Sequence, residues 1–175
     1  MDQIVSFWLM PAAEDRRFFQ HLIVELAQQY AAPVFVPHVT IYSGLCRPDE
    51  DPEAMLAHTS QGTQPLVLQV DRILSTETFT KTLFVQFHPS PQLSTMTEAL
   101  RTCCAHSSDY RLDPHLSLLY KHMSSSEKAR LAATVRVPQA TVMFDEVSAI
   151  GSPGPTQSPQ DVEQWQILCQ RTLTT

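Results

Sequence analysis

The sequence predicts an α+β fold of two pseudo-symmetric lobes, each with an antiparallel sheet and helices, around a central cleft. Three observations carry this. Segments with strand-like and helix-like apolar spacing alternate along the chain. In each half, a helix, a strand and a second helix are followed by a pair of strands. One phrase is also written twice: Pro37-His38-Val39-Thr40-Ile41-Tyr42 reads PHVTIY, and Pro114-His115-Leu116-Ser117-Leu118-Leu119-Tyr120 reads PHLSLLY. The 175 residues suffice for one such two-lobed domain over residues 1–175 with a sizeable core.

The elements follow in order. Gln3 to Leu9 is β-prone and stops at Pro11, which makes it a strand. From Glu14 to Tyr30 the apolar positions Phe18, Phe19, Leu22, Ile23, Leu26 and Tyr30 recur three and four apart, the spacing of a helix with one buried face. Val34 to Tyr42 is β-branched and aromatic, a strand carrying the first motif. A short helix is expected over Asp49 to Thr59, with Asp49, Glu50 and Asp51 near its positive end. Leu66 to Val70 and Leu83 to Phe87 are strands, with Ser75 to Lys81 a turn region between them. A helix covers Leu93 to His106, the second motif forms a strand, and Ser124-Ser125-Ser126-Glu127 has the spacing of a capping box opening another helix. Ala140 to Ile150 is a strand, Gly151 to Pro159 a loop with little reason to be ordered, and Trp165 to Leu173 the last strand.

Bulk composition narrows the function classes. A net charge of −6, from 12 Lys and Arg against 18 Asp and Glu, argues against holding long nucleic acid through its phosphates. A small anionic ligand is not excluded. No apolar run approaches the roughly 20 residues needed to span a bilayer, so no membrane partner is expected. The N-terminus carries Asp2 and no basic region, which makes a poor signal peptide and a cytoplasmic location the expectation. Cys46, Cys103, Cys104 and Cys169 fit no metal spacing and read as reduced, mostly buried small hydrophobes. Neither a metal nor another cofactor is expected, and the protein is expected to act as a monomer.

The repeated motif has chemical content. Residues i and i+2 of a strand share a face, so His38 lies beside Thr40 and His115 beside Ser117, while Val39, Ile41, Leu116 and Leu118 face a core. On a helix each pair would diverge by about 200°. Two such pairs facing one another would present two imidazoles and two hydroxyls around one centre. Imidazole has an ordinary pKa of about 6.5, so one ring can be neutral and the other protonated near neutral pH. In-line hydrolysis of a phosphodiester needs that pairing: a base takes the proton from water on one side of phosphorus, and an acid protonates the leaving alkoxide on the other. The hydroxyls and nearby backbone N–H groups can hold the non-bridging oxygens. A strained five-membered cyclic phosphate would suit such a site.

On these motifs the chain resembles the two-histidine (2H) phosphoesterase superfamily, whose hallmark is one H-x-[ST]-x motif per lobe. More narrowly, it resembles the cyclic phosphodiesterases of plants and yeast. The matching text is SFWLMP at 6–11, PVFVPHVTI at 33–41, VDRILSTETF at 70–79, PHLSLLY at 114–120 and EQWQI at 163–167. The resemblance implies a bilobal fold and hydrolysis of small cyclic-phosphate nucleotides: ADP-ribose 1″,2″-cyclic phosphate to ADP-ribose 1″-phosphate, and nucleoside 2′,3′-cyclic phosphates to 2′-phosphates. It implies His38 and His115 as the acid/base pair and Thr40 and Ser117 as phosphate binders. Phe79 and Tyr120 match aromatic positions that line the cleft in plant-like relatives, and Trp8 is a further candidate at its edge. For all three, packing is the competing role. Cys169 matches a cysteine that can pair in the plant enzymes, but Ser60 stands at its partner's position, which argues against a disulfide there.

Two other functions fit the same fold. An RNA-end 2′,3′-cyclic phosphodiesterase would need a basic collar, for which Lys81, Lys121 and Arg72 are the candidates. A non-catalytic nucleotide-binding module would keep the fold without needing all four motif residues.

Overall fold

The computed structural model describes residues 3–104 and 108–174. The chain runs β1 (Gln3–Pro11), α1 (Ala13–Tyr30), β2 (Val39–Cys46), α2 (Pro52–Ser60), β3 (Leu66–Ser75), a 3₁₀ turn (Phe79–Lys81), β4 (Leu83–Phe87), α3 (Pro91–Cys103), β5 (His115–Leu119), α4 (Ser125–Thr134), β6 (Thr141–Ser152), α5 (Pro159–Val162) and β7 (Gln166–Thr172). This is the α+β order expected from the sequence, with the four-residue α5 added before the last strand.

The two lobes' sheets are halves of one antiparallel sheet with strand order β1-β2-β5-β4-β3-β6-β7. The long β6 joins them. Its Thr141–Phe144 stretch pairs with Leu66–Gln69 of β3, and the rest, to Ser152, pairs with β1 on one side and β7 on the other. Because β6 also reaches β1, six strands close on themselves and β7 lies outside. At the opposite seam β2 and β5 meet through one register pair, Val39 with Leu116, the central residues of the two motifs.

Local chemistry explains the element ends. The expected α1 face is buried at Phe19, Ile23, Leu26 and Ala27, with Phe18, Leu22 and Tyr30 packed on the core's margin. α1 ends at Ala31, which takes the left-handed conformation at φ 50° with its N–H on the Ala27 carbonyl. α2 begins at Pro52, not at Asp49: Asp51 caps it by accepting from the Glu53 N–H at 2.9 Å, and Pro52 cannot continue a helix backwards. Ser90 and Pro91 open α3 in the same way, two residues before the expected Leu93. The predicted end of that helix, at His106, lies outside the described residues. The capping box of Ser124 and Glu127 opens α4 as its spacing predicts.

Two strands differ from expectation. The segment before β2 makes no ladder pairing, so the strand starts at Val39 and not at Val34. Pro33 and Pro37 have no N–H to donate to a ladder. β3 runs on to Ser75 through a register shift around Asp71, where the alternation that marks its first half breaks. The Gly151–Pro159 stretch is not all loop, because Gly151 and Ser152 complete β6 and the turn beyond is tied by Ser152 Oγ to the Gly154 carbonyl at 3.0 Å. All four cysteines are free thiols. No described helix is long and apolar enough to cross a membrane.

Candidate active site

A cavity of about 360 Å³ opens at the seam of the two halves and is lined by both motif pairs, His38 with Thr40 and His115 with Ser117. Alternation supplies the wall. On β1, Ile4, Ser6 and Trp8 line the cavity, while Val5, Phe7 and Leu9 are buried in the core. Val39, Ile41, Leu116 and Leu118, the apolar partners within the motifs, are fully buried.

Each motif strand carries a bulge one residue past its hydroxyl. In β2, Phe7 pairs with Tyr42 and Trp8 with Thr40, so Ile41 is the extra residue. In β5, Leu83 pairs with Leu119 and Phe84 with Ser117, so Leu118 is the extra residue. A bulge resets the alternation of faces. It lets Thr40 and Ser43 both line the cavity on one side, and Ser117 and Tyr120 both line it on the other.

The two imidazoles are held alike. His38 Nδ1 lies 2.7 Å from the Val36 carbonyl, and His115 Nδ1 lies 2.6 Å from the Asp113 carbonyl. A carbonyl only accepts, so Nδ1 carries the proton in both rings and Nε2 is left to exchange one with a ligand. Their surroundings differ. The His38 ring stacks on Trp8 at 3.6 Å between centroids, with Phe35 and Trp165 edge-on at 6.4 and 6.1 Å. Burial takes its pKa from 6.5 down to about 4; the bond to Val36 opposes the shift, and the charge of His115 adds to it. His115 meets Phe84 edge-on at 5.4 Å, and burial lowers its pKa as well, partly countered by the Asp113 carbonyl.

The hydroxyls differ too. Ser117 Oγ donates to the Thr80 carbonyl at 2.7 Å. The Thr40 side chain has no hydrogen-bond partner among the described residues, while its backbone carbonyl accepts from the Tyr110 hydroxyl at 2.7 Å. Tyr120 lines the cavity with its ring stacked on Phe35 at 3.8 Å, and Trp8 is both buried and cavity-lining.

Phe79 departs from its expected place. It does not line the cavity but packs behind Tyr120 at 5.8 Å, in a cluster with Ile23, Phe35 and Val162. The 3₁₀ turn that begins with Phe79 directs Thr80, not Phe79, towards the cavity. Sequence reasoning also missed Tyr110, Thr80 and Trp165. Trp165 donates from Nε1 to Thr156 Oγ1 at 2.9 Å and meets Trp8 edge-on at 4.9 Å, closing the cavity beside His38. Its signal was present in the EQWQI text, which marks a resemblance but gives no direction to the side chain. Among the described residues, no three His, Cys, Asp or Glu side chains are grouped as a metal site requires.

The chain is similar to known proteins in sequence and in fold. Residues 3–173 match the family model described as cyclic phosphodiesterase-like protein. The cyclic phosphodiesterase of Arabidopsis thaliana is 27% identical over 127 residues, 71% of this chain and 69% of that protein. In fold the chain is similar to E. coli LigT in complex with 3′-AMP, at a TM-score of 0.62 and 16% identity with both chains fully covered. It is likewise similar to TT0787 of Thermus thermophilus, at a TM-score of 0.64 and 14% identity over 97% of each chain. The chain belongs to the cyclic phosphodiesterase-like family, and it is a phosphodiesterase.

Proposed function

We propose that residues 1–175 form one catalytic domain that opens cyclic phosphodiesters of small nucleotides without a metal ion, with His38 and His115 exchanging protons on opposite sides of phosphorus. The observation that carries this reading is the shared orientation of the two rings. Each Nδ1–H is spent on the carbonyl two residues back, which leaves both Nε2 atoms for the same cavity. One imidazole removes a proton from the attacking water and the other delivers one to the leaving ring oxygen. Thr40 and Ser117 donate to the non-bridging oxygens, where charge accumulates. Trp8, Tyr120 and Trp165 offer faces and edges to the rest of the substrate.

The substrates are ADP-ribose 1″,2″-cyclic phosphate, opened to the 1″-phosphate, and nucleoside 2′,3′-cyclic phosphates, opened to 2′-phosphates. A small ligand is favoured over an RNA end because no Lys or Arg among the described residues lines the cavity. The candidate collar is also engaged elsewhere: Lys81 pairs with Asp113, Arg72 with Asp71 at 2.8 Å, and Lys121 reaches the Ala31 carbonyl. The similar LigT of E. coli has been crystallised with 3′-AMP, ATP and NADP+, all small nucleotides.

Phosphorus NMR of the products from both cyclic phosphates tests this directly, with chelator present and absent. His38→Ala and His115→Ala should each lower turnover by at least about two orders of magnitude. Loss of activity in chelator, a fully active His115→Ala enzyme, or a strong, salt-sensitive preference for an oligonucleotide would sink the reading.

A further inference from the structure

The two histidines share a backbone geometry but not a charge environment. His38 has aromatic rings around it and no carboxylate among the described residues within ion-pair reach. His115 has Asp113, whose Oδ2 lies 3.9 Å from His115 Nδ1 while its backbone carbonyl takes the Nδ1 proton. Asp113 is itself clamped. Lys81 Nζ bonds its Oδ2, and Gln86 Nε2 donates to its Oδ1 at 3.0 Å and to the Pro114 carbonyl at 2.9 Å. Lys81 also sits 4.4 Å over the ring of Phe84, the ring that meets His115 edge-on.

Resting on the acid/base pair proposed above, we propose that Asp113, clamped by Lys81 and Gln86, is a positioning residue that orients His115 and keeps it the proton carrier of the pair, leaving His38 as the base.

Three features support the assignment. The clamp lies on the Nδ1 side of the ring, away from Nε2, so it steers the imidazole without competing for the substrate. Its two charges act on His115 in opposite senses: Lys81 disfavours the imidazolium, and Asp113, the smaller influence of the two, offsets part of that. Burial works against the Asp113 charge, but the bonds from Lys81 and Gln86 hold the carboxyl below its ordinary range, so it stays ionised at neutral pH. The other titratable groups lining the cavity are His38, Tyr110 and Tyr120. Burial raises both phenols, so they remain neutral while the histidines titrate.

The test is an NMR titration of the His115 ring in the substrate-free enzyme, assigned by its loss in His115→Ala, beside pH–rate profiles of the same variants. Asp113→Asn keeps the shape and backbone carbonyl but leaves Lys81 unopposed. It should lower the His115 midpoint by about 0.5–1 pH unit and move the alkaline limb of kcat/KM down by the same amount. Lys81→Met should move both upwards. A loosened fold would shift both variants in the same direction, so opposite shifts are the signature of the clamp. An unchanged His115 midpoint in Asp113→Asn, or shifts of one sign in both variants, would overturn the proposal. Because the midpoint is read without substrate, this outcome is separate from a failure of cyclic phosphate turnover, which would sink the proposed reaction instead.

Discussion

His38 makes the protein's stability depend on pH in a window where its shifted carboxylates do not. It is 7% exposed with its ring stacked on Trp8, and its pKa falls from 6.5 when unfolded to about 4 when folded. A histidine with a lowered folded pKa is a proton that the unfolded chain binds and the native chain refuses. Its contribution is therefore fully present above pH 6.5 and is lost as pH falls towards 4. Each pKa unit is worth about 1.4 kcal/mol, so the whole shift amounts to about 3 kcal/mol, of which about 2 kcal/mol goes between pH 7 and pH 5. The structurally shifted carboxyls of Glu77, Asp113, Glu127 and Asp161 all move downwards and remain ionised at pH 5, so they add little there. His115 shifts in the same sense as His38 and sets a residual slope. Urea unfolding of the wild type and His38→Gln at pH 7, 6 and 5 isolates the His38 share. The variant should lose about 2 kcal/mol less over that range, or about 4–8 °C less in Tm. Parallel curves for the two proteins would show that His38 does not resist protonation, and the environment argued for it would be wrong.

Further outcomes follow from the site's hydroxyls and from one backbone strain. Ser117→Ala leaves the Thr80 carbonyl without its donor and should cost about 1 kcal/mol of stability together with a loss of kcat/KM, measured by urea unfolding and steady-state kinetics. Thr40→Val breaks no hydrogen bond among the described residues, so it should lower kcat/KM at nearly unchanged stability; wild-type kcat/KM in this variant would remove Thr40 from phosphate binding. Ala31→Gly relieves the left-handed backbone at the end of α1 and should stabilise the fold by about 0.5–1 kcal/mol, seen as a raised Tm with unchanged turnover.

How much of this was legible in the sequence depended on the kind of signal. Amphipathic spacing located α1 to within a residue, and the Ser124–Glu127 box located the start of α4, because both are local physics. The motif pairs were legible because strand alternation depends only on sequence position. The bulges at Ile41 and Leu118 were not, since an extra residue in a ladder is defined by its partner strand. That is also why the facing of Tyr120 came from resemblance alone; for Phe79 the resemblance offered the cleft wall, and the competing packing role is the one it takes. Trp165 and Tyr110 reach the cavity from segments outside the motif strands, and nothing in their neighbours' spacing points them there. The closing of β6 onto both β1 and β3 is likewise a long-range fact, while the strand itself was plain from its composition.

The repeat supplies the symmetry that the reaction needs, and the surroundings remove the part of it that would be useless. Two copies of one backbone arrangement, met at the Val39–Leu116 rung, bring two Nε2 atoms to one cavity. If the copies were identical in charge, both rings would share one pKa and the base and acid forms would be interchangeable, so the productive protonation state would have no preferred form. Burial lowers both rings, but the first is enclosed by Trp8, Phe35 and Trp165, while at the second the Asp113 carbonyl and its clamped carboxylate oppose the shift. The hydroxyls divide in the same way: the Thr40 side chain is without a hydrogen-bond partner among the described residues, and Ser117 is tied to the Thr80 carbonyl. In the proposed assignment the base lies beside the free hydroxyl and the acid beside the tethered one. Under that assignment the enzyme would discriminate by which face of the cyclic phosphate is turned to His38, because only the oxygen placed opposite it, towards His115, would leave with a proton.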